Sequence, residues 1–340
     1  MTVATDALGE ARTLVEPGLR AAVARLDPHL GRVAAYHFGW CDPQGNPARG
    51  NSGKALRPGL ALIAAEALGG AAEAAVPGGV AVELIHNFSL IHDDLIDRDR
   101  ERRHRPTVWA VWDDTTAILV GDAMASLAHE VLADSGSPYA DAASLALAAA
   151  TREVIRGQAQ DVLFETRGDV TLAESLQMAA DKTGALLAVS ASLGAILTGA
   201  GRREIDALHT FGAELGLAFQ LVDDLLGVWG ATEVTGKPVF ADLAAGKKTM
   251  PVVWSIDEGG DAGDQLAEWF DAHDPRAAVP PEELQYAADL IEKAGGRDWA
   301  TAEAESRVQA ALDAIASLDL RPGGLDRLAD LARFVTGRTS

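Results

Sequence analysis

Two stretches of the sequence place adjacent aspartates in apolar surroundings, where like charges are costly. Asp93, Asp94 and Asp97 lie in "FSLIHDDLIDRD", and Asp223 and Asp224 lie in "FQLVDDLLGVWG". On a helix, Asp93 and Asp97 would be one turn apart and share a face. Such carboxylates suit Mg²⁺, which typically adds water and substrate phosphate to one or two carboxylate ligands. Each stretch alone would also fit a structural site or a solvated helix end.

A second group of residues supplies positive charge. Guanidinium and ammonium groups bind phosphate oxygens and stabilise charge that develops on them. The basic residues in short motif-like contexts are Lys54 and Arg57 of "GKALRP", Arg102 and Arg103 of "RRHRP", Lys182 of "DKTG", and Lys237, Lys247 and Lys248 of "TGKPVFADLAAGKKTMP". Singly, each would fit an exposed surface side chain. Together they predict a clamp for two polyphosphate groups, with metal on one side and basic residues on the other.

Composition narrows the class of protein. The 340 residues carry a formal net charge of −21, with no dominant basic stripe, which argues against a nucleic-acid partner. Cys41 is the only cysteine, which excludes an intramolecular disulfide and a cysteine zinc site. The N-terminus lacks a basic segment followed by an apolar run, and charges interrupt the most apolar segments, such as "LALAAATREVIRGQ". We expect a cytoplasmic protein without a transmembrane segment.

The elements that position these residues are predicted to be helices. Apolar residues recur at spacings of three and four along most of the chain, for example over 75–98, 140–167, 172–200 and 202–229. Glycine- and proline-rich stretches separate these segments, and no alternating strand pattern is evident. Some helices, such as "LLAVSASLGAILTGA", are apolar on all sides and belong inside a large bundle. The pattern predicts a single all-α domain over 1–340 with ten or more helices.

The motifs, taken in order, resemble those of the trans-isoprenyl diphosphate synthases, the polyprenyl synthetase family. The matching set is GKALRP, IHNFSLIHDDLID, RRHRP, VGDAM, GQAQD, DKTG, FQLVDDLL and GKPVFADLAAGKKT, spanning about 50–255. Each motif is weak alone, whereas their order and spacing together are specific. The resemblance implies an all-α bundle around a central cavity, usually in a homodimer. It also implies Mg²⁺-dependent, head-to-tail condensation of isopentenyl diphosphate with an allylic diphosphate.

The resemblance also assigns roles to residues. Asp93, Asp97 and Asp223 correspond to the ligands of three Mg²⁺ ions, with Asp94 and Asp224 supporting them. Arg102, Lys182 and Lys237 correspond to the clamp on the allylic diphosphate. The isopentenyl diphosphate site corresponds to Lys54, Arg57, His86 and Arg103. The allylic pocket corresponds to Gln158, Asp161, Thr183 and Gln220.

Three positions depart from the family pattern. Gly227 stands where the last aspartate of the second motif is often found, which would leave space or a water position there. His104 and Phe240 stand where glycine is usual or common. Because Asp223 is retained, we expect metal binding to persist.

Product length is expected to depend on residues just before the first acidic motif. Phe88 is five residues before Asp93, and Ser89, a small residue, is four before it. This arrangement resembles the geranylgeranyl (C20) synthases of the family. Phe88 would also fit an ordinary core position, and C15 or C25 products remain alternatives.

Two other functions are compatible with parts of the sequence. A class I terpene cyclase would use aspartates and Mg²⁺ but would not need a second diphosphate site. Lys54, Arg57 and Arg103 therefore argue against a cyclase. A non-catalytic partner subunit of another synthase would be expected to lose aspartates from the first motif, which is intact here.

Overall fold

The computed structural model describes residues 3–48, 50, 53, 55–165, 167–232, 238–273 and 278–337. Within these ranges the chain is almost entirely α-helical, with one small two-stranded sheet. The predicted all-α fold is therefore confirmed. Lys54 and Lys237 lie outside the described residues.

Sixteen α-helices are described. They are α1 (Val3–Val23), α2 (Pro28–His37), α3 (Leu56–Ala67), α4 (Ala72–Ile96), α5 (Val108–Val111), α6 (Asp114–Ala133), α7 (Ala140–Phe164), α8 (Leu172–Ala179), α9 (Ala185–Leu197), α10 (Arg202–Trp229), α11 (Ala241–Ala244), α12 (Met250–Glu258), α13 (Gly260–Ala272), α14 (Pro281–Ala294), α15 (Gly296–Ile315) and α16 (Gly324–Thr336). A π-helical turn, Ala180–Gly184, joins α8 to α9. Strands β1 (Glu101–Arg102) and β2 (Arg105–Pro106) form an antiparallel hairpin between α4 and α5.

Helix starts follow local side-chain chemistry. The Asp27 carboxylate accepts hydrogen bonds from the first free N–H groups of α2, and Pro28 occupies the first turn, where no N–H is needed. Thr171 and Glu174 form a reciprocal capping box at the start of α8. These short motifs fix where the two helices begin.

The described chain divides into two compact units. Unit 1 contains residues 1–152, 186–212 and 314–331, and unit 2 contains residues 153–185, 213–313 and 332–340. Each boundary lies within or at the end of a helix or helical turn, so neither unit is a single stretch of sequence. The prediction of one domain over 1–340 stays a prediction.

Unit 1 is built around α4, which packs against α1, α3 and α6. Fully buried side chains at its core include Leu60, Leu84, Met124 and Leu147. Burying each such side chain contributes roughly 1.5–3 kcal/mol of transfer free energy. The core therefore holds α4, which carries the first acidic motif, on several sides.

Unit 2 has two hydrophobic clusters. One packs α10 against α12 through Leu221, Leu225 and Met250. The other includes Leu266 and Trp269 of α13. The glycine- and aspartate-rich sequence near residue 260 predicts a loop, but that prediction is wrong over 260–264, because burial of this apolar face extends α13 back to Gly260.

Three helical segments are long and apolar enough to cross a membrane by length and composition: Ala72–Ile96, Asp114–Ala133 and Leu172–Leu197. The expectation that charges interrupt the apolar segments is wrong for these three. Inside the folded chain, 61%, 39% and 89% of the respective apolar windows are buried. Packing within the protein thus accounts for much of the apolar character of Ala72–Ile96 and Leu172–Leu197, and for less of that of Asp114–Ala133.

Candidate active site

The first acidic motif occupies the last turn of α4. Asp94 is buried, at 1% exposure, whereas the Asp93 side chain is 21% exposed. Asp97 follows the helix, and its N–H donates to the Asp93 carbonyl at 2.9 Å. Asp93 and Asp97 are thus one helical turn apart, as the spacing predicted.

Arg102, on β1, connects the hairpin to these acids. Its Nε donates to Asp94 Oδ1 at 2.6 Å, and its Nη2 lies 3.8 Å from Asp93 Oδ2. Burial raises the pKa of Asp94 to about 6, and the charge of Arg102 opposes that rise. The guanidinium predicted to hold an allylic diphosphate is therefore already held next to the motif by Asp94.

The hairpin turn explains one departure from the family pattern. Arg103 and His104 have φ angles of 54° and 60°, so both central residues of the turn are left-handed. This is the conformation that glycine adopts without a steric penalty. The turn also directs Arg103 back to the loop before α3, where a Cβ built on Gly53 would lie 2.9 Å from Arg103 Nη2.

Arg57 and His86 meet in unit 1, as the predicted isopentenyl diphosphate site requires. Arg57 Nη1 lies 3.3 Å from His86 Nε2. Burial and nearby arginines lower the pKa of His86 well below its usual value, so the imidazole is neutral. His86 Nε2 can then accept a hydrogen bond from Arg57 Nη1, which orients the guanidinium.

A polar network behind this pair was not predicted. Asn87 Nδ2 donates to the Glu83 backbone oxygen at 2.8 Å and to Glu83 Oε1 at 3.0 Å. The amide oxygen therefore accepts from His37 Nε2, at 3.1 Å. Burial lowers the pKa of His37 to about 3 and raises the pKa of Glu83. The spacing of Glu83 and Asn87, one turn apart on α4, is the sequence signal that could have found this network.

The residues expected to set product length also lie in unit 1. Phe88 is 7% exposed, and its ring meets that of His92 edge to face, with centroids 5.0 Å apart. The Ser89 hydroxyl donates to the carbonyl of His86 at 2.8 Å. Phe88 is thus the one large side chain of the pair, and Ser89 is turned onto its own helix.

In unit 2, Lys182 and Thr183 lie on the π-helical turn, a feature often found at functional sites. Lys182 Nζ lies 2.5 Å from Asp161 Oδ2. The Thr183 hydroxyl donates to Gln220 Oε1 at 2.7 Å. Gln158, on α7, has a buried amide nitrogen for which the described residues provide no hydrogen-bond acceptor.

Glycines allow the helices that carry these residues to approach closely. A Cβ built on Gly157 of α7 would lie 2.3 Å from the backbone nitrogen of Lys182. A Cβ on Gly216 of α10 would lie 2.5 Å from the Cα of Gly184. Side chains at these two positions would push α7 and α10 away from the π-helical turn, so glycine is required there.

The second acidic motif is fixed by a chain of hydrogen bonds. Gln220 Nε2 donates to Asp224 Oδ1 at 2.8 Å, and the Met250 N–H donates to Asp224 Oδ2 at 3.0 Å. Burial raises the pKa of Asp224 to about 7, and the charges of Asp242 and Asp223 raise it further, against the two hydrogen bonds. Asp224, at 6% exposure, therefore anchors the helix, while Asp223 is partly exposed.

The expectation of open space beside Gly227 is wrong. A Cβ built on Gly227 would lie 1.8 Å from Asp242 Oδ2 and 2.5 Å from Asp242 Cγ. The Asp242 carboxylate therefore occupies the place of a side chain at position 227. The Phe240 N–H donates to the Val228 carbonyl at 3.1 Å, which ties this segment to the end of α10.

The third departure from the family pattern is Phe240, at a position where glycine is common. Its φ is 64°, in the left-handed region, where glycine is unstrained. Its side chain packs against the hydrophobic cluster that contains Val228 and Leu243. Apolar packing thus offsets the backbone strain of a phenylalanine here.

The donor set fits Mg²⁺ rather than a soft metal. Both motifs offer carboxylate oxygens, and Asp94 Oδ2 is buried without a hydrogen-bond donor among the described residues. Among the described residues, no group of three or more His, Cys, Asp or Glu side chains is arranged so that it could hold a metal ion by itself.

Comparisons with known proteins identify the family. The polyprenyl synthetase family model matches residues 46–286. The chain belongs to the polyprenyl synthetase family. It is a prenyltransferase that elongates prenyl chains, in a family that uses isopentenyl and allylic diphosphates and generally requires Mg²⁺.

Individual relatives differ in product. A (2E,6E)-farnesyl diphosphate synthase of Mycobacterium tuberculosis is 53% identical over 97% of this chain and 92% of its own. A geranylgeranyl diphosphate synthase of the same species is 42% identical, covering 92% and 90% of the two chains. The crystal structure of a polyprenyl synthetase from Streptomyces coelicolor A3(2) is 50% identical and covers 97% of this chain and 99% of its own, with a TM-score of 0.93.

Proposed function

We propose that this prenyltransferase condenses isopentenyl diphosphate with C5 to C15 allylic diphosphates, giving mainly geranylgeranyl diphosphate (C20) and diphosphate. The observation that carries the C20 assignment is the pair before the first motif. One aromatic ring, Phe88, is buried against His92, and its neighbour Ser89 is small and bonded to its own helix. A single large residue here would stop the chain later than two would.

The acids divide into ligands and anchors in this proposal. Asp93, Asp97 and Asp223 would hold three Mg²⁺ ions, which neutralise charge on the departing diphosphate. Asp94 and Asp224 are buried and hydrogen bonded, so their part is to fix the two motifs. Each motif then presents at least one partly exposed carboxylate.

The basic residues hold the two diphosphates. Arg102, Lys182 and Lys237 would bind the allylic diphosphate, and Lys54, Arg57, His86 and Arg103 would bind isopentenyl diphosphate. The Arg57–His86 contact at 3.3 Å supports a preset guanidinium. Gln158, Asp161, Thr183 and Gln220 would line the allylic pocket, with Thr183 and Gln220 joined by a hydrogen bond.

The reaction balances without an external base. The allylic C–O bond breaks and its electron pair leaves with diphosphate. The alkene of isopentenyl diphosphate forms the new C–C bond, and the departing diphosphate takes the proton that is lost. An apolar, water-poor surround protects the intermediate cation from water.

Farnesyl diphosphate (C15) is the competing product. Identity to the farnesyl diphosphate synthase, 53%, exceeds that to the geranylgeranyl diphosphate synthase, 42%. Purified protein should be incubated with Mg²⁺, isopentenyl diphosphate and, separately, C5, C10 and C15 allylic diphosphates. Mass spectrometry of the dephosphorylated products should show a C20 alcohol. Accumulation of C15 that is not extended would overturn the C20 assignment.

Phe88→Ala is expected to lengthen the product, because the truncated side chain leaves room for a longer prenyl chain. Phe38→Ala serves as the matched control, since Phe38 is also buried in unit 1 but stacks on Trp40. An unchanged product distribution in Phe88→Ala would remove Phe88 as the limit on chain length. No isopentenyl-dependent product from the unmodified protein would favour the cyclase or partner-subunit alternatives.

We also propose a cytoplasmic homodimer without a transmembrane segment. Unit 1 exposes several aliphatic side chains on α6 and α7: Ile118 at 46%, Leu119 at 52% and Leu145 at 72%. Covering such side chains in a second copy would remove apolar surface from water. Light scattering after size exclusion should give twice the 35.5 kDa chain mass. A monomer at micromolar concentration would contradict this proposal.

A further inference from the structure

His92 fills a gap between two helices of unit 1. His92 lies on α4, next to Gly121 of α6. Gly121 belongs to the "VGDAM" motif. A Cβ built on Gly121 would lie 2.2 Å from His92 Nε2 and 2.6 Å from its Cδ2. The imidazole therefore takes the volume that any side chain at position 121 would need.

A hydrogen bond fixes the orientation of this imidazole. His92 Nε2 lies 3.1 Å from the carbonyl oxygen of Ile118. A carbonyl can only accept, so Nε2 carries the proton and donates. The ring is thus held by one hydrogen bond and by the surface of Gly121.

The other side of the imidazole supports Phe88. The two residues are one turn apart on α4, and their rings meet at 79° with centroids 5.0 Å apart. This edge-to-face geometry is favourable for aromatic pairs. Gly121, His92 and Phe88 therefore form a continuous row of contacts from α6 to the residue that we expect to limit the product.

We propose that His92 is a specificity-determining residue, a spacer that sets the position of the Phe88 ring and, through it, product length. The proposal rests on the chain-length role of Phe88 proposed above. Without the imidazole, the Phe88 ring could turn into the vacated volume between α4 and α6. The space left for the growing chain would then be longer.

The first test is product length in His92→Ala, with isopentenyl diphosphate and C15 allylic diphosphate as substrates. The main product is expected to lengthen by at least one isoprene unit relative to the unmodified protein. His129→Ala is the control, because His129 is a partly buried histidine of α6 that bonds Ser144 instead. The control is expected to keep the wild-type distribution.

A second test measures the packing directly and needs no catalytic activity. Gly121→Ala is expected to lower Tm in the wild-type background, because its Cβ and the imidazole compete for one volume. In the His92→Ala background the same change should lower Tm much less, since the volume is then vacant. If Gly121→Ala lowers Tm equally in the two backgrounds, Gly121 and His92 are not coupled, and the proposal that His92 is a spacer is wrong.

The outcomes separate the two proposals. If Phe88→Ala lengthens the product and His92→Ala does not, the spacer is wrong while the role of Phe88 stands. If neither variant changes the distribution, both the chain-length role of Phe88 and the spacer fail. A His92→Ala product that matches the lengthening in Phe88→Ala, together with non-additive Tm changes, is the result expected.

Discussion

Both acidic motifs contain two adjacent aspartates, of which the second is buried and the first is partly exposed. Asp94 and Asp224 are 1% and 6% exposed, respectively. Asp94 receives the guanidinium of Arg102, whereas the donors to Asp224 among the described residues are neutral, namely the Gln220 amide and the Met250 backbone. Each unit thus buries the second aspartate of its motif, but with different hydrogen-bond partners.

The difference appears in the electrostatics. Burial raises the pKa of Asp94 to about 6 and that of Asp224 to about 7. Negative neighbours add to the rise at both sites, Asp93 and Asp99 at Asp94 and Asp242 and Asp223 at Asp224. The charge of Arg102 opposes the rise at Asp94, whereas neutral hydrogen bonds oppose it at Asp224. When it is ionised, Asp224 is therefore less well compensated by its described neighbours than Asp94 is.

The largest effect should separate exposed from buried acids. We expect Asp93→Asn and Asp223→Asn each to lower kcat by about 10²–10³ or more, because each removes charge stabilisation of the departing diphosphate. Neither change should alter Tm greatly in EDTA, because both side chains are partly exposed. Steady-state kinetics and thermal melts measure the two quantities. Near wild-type kcat in Asp223→Asn would contradict a metal-binding role for the second motif.

The buried acids should differ in stability rather than in the chemical step. Asp94→Asn leaves Arg102 without its 2.6 Å acceptor charge, and we expect it to cost about 1–3 kcal/mol. Asp224→Asn should cost less, because the Gln220 amide can flip and the Thr183 hydroxyl can then accept. Urea unfolding in EDTA gives both free energies. A larger loss in Asp224→Asn would reverse the comparison.

The pH dependence of stability should sharpen the same contrast. Both carboxyls have a pKa above the unfolded value of 3.8, so the folded protein binds more protons than the unfolded chain in between. Their contribution to the unfolding free energy therefore falls as pH rises from about 4, to about pH 6 for Asp94 and about pH 7 for Asp224.

Metal-free protein is the material for this measurement. Asp224→Asn should remove a slope between pH 6 and 7 on the order of 1 kcal/mol per pH unit. Asp94→Asn should leave that interval nearly unchanged. Comparing each variant with the parent cancels other groups, such as His37, whose lowered pKa acts in the opposite direction. Equal slopes in the parent and Asp224→Asn would show that Asp224 does not titrate in this interval.

Sequence patterns predicted the helices well where local signals are strong. α10 begins and ends where its apolar periodicity and flanking glycines indicated, at 202 and 229. The pairing of Arg102 with Asp94 and the placement of Asp242 against Gly227 depend on chain segments that meet only in the folded protein. The spacing of residues along the chain does not encode those contacts.

At two positions the sequence identified an unusual residue, and the structure was needed to show its backbone conformation. The sequence showed that His104 and Phe240 replace glycines of the family pattern, without a reason. The structure shows why glycine is usual at these positions, since φ is positive at both residues. The two residues differ in packing, because the His104 side chain is 80% exposed while Phe240 packs against a hydrophobic cluster.

The smallest effect should follow from that difference. His104→Gly is expected to stabilise the protein by about 0.5–1 kcal/mol, since it relieves left-handed strain and loses little packing. Phe240→Gly should instead destabilise it, because the lost apolar contacts, about 1–3 kcal/mol, outweigh the strain relieved. Parallel urea unfolding curves give both values. If both variants are more stable than the parent, packing at Phe240 does not offset its strain. If both are less stable, left-handed strain at His104 is not what limits stability there.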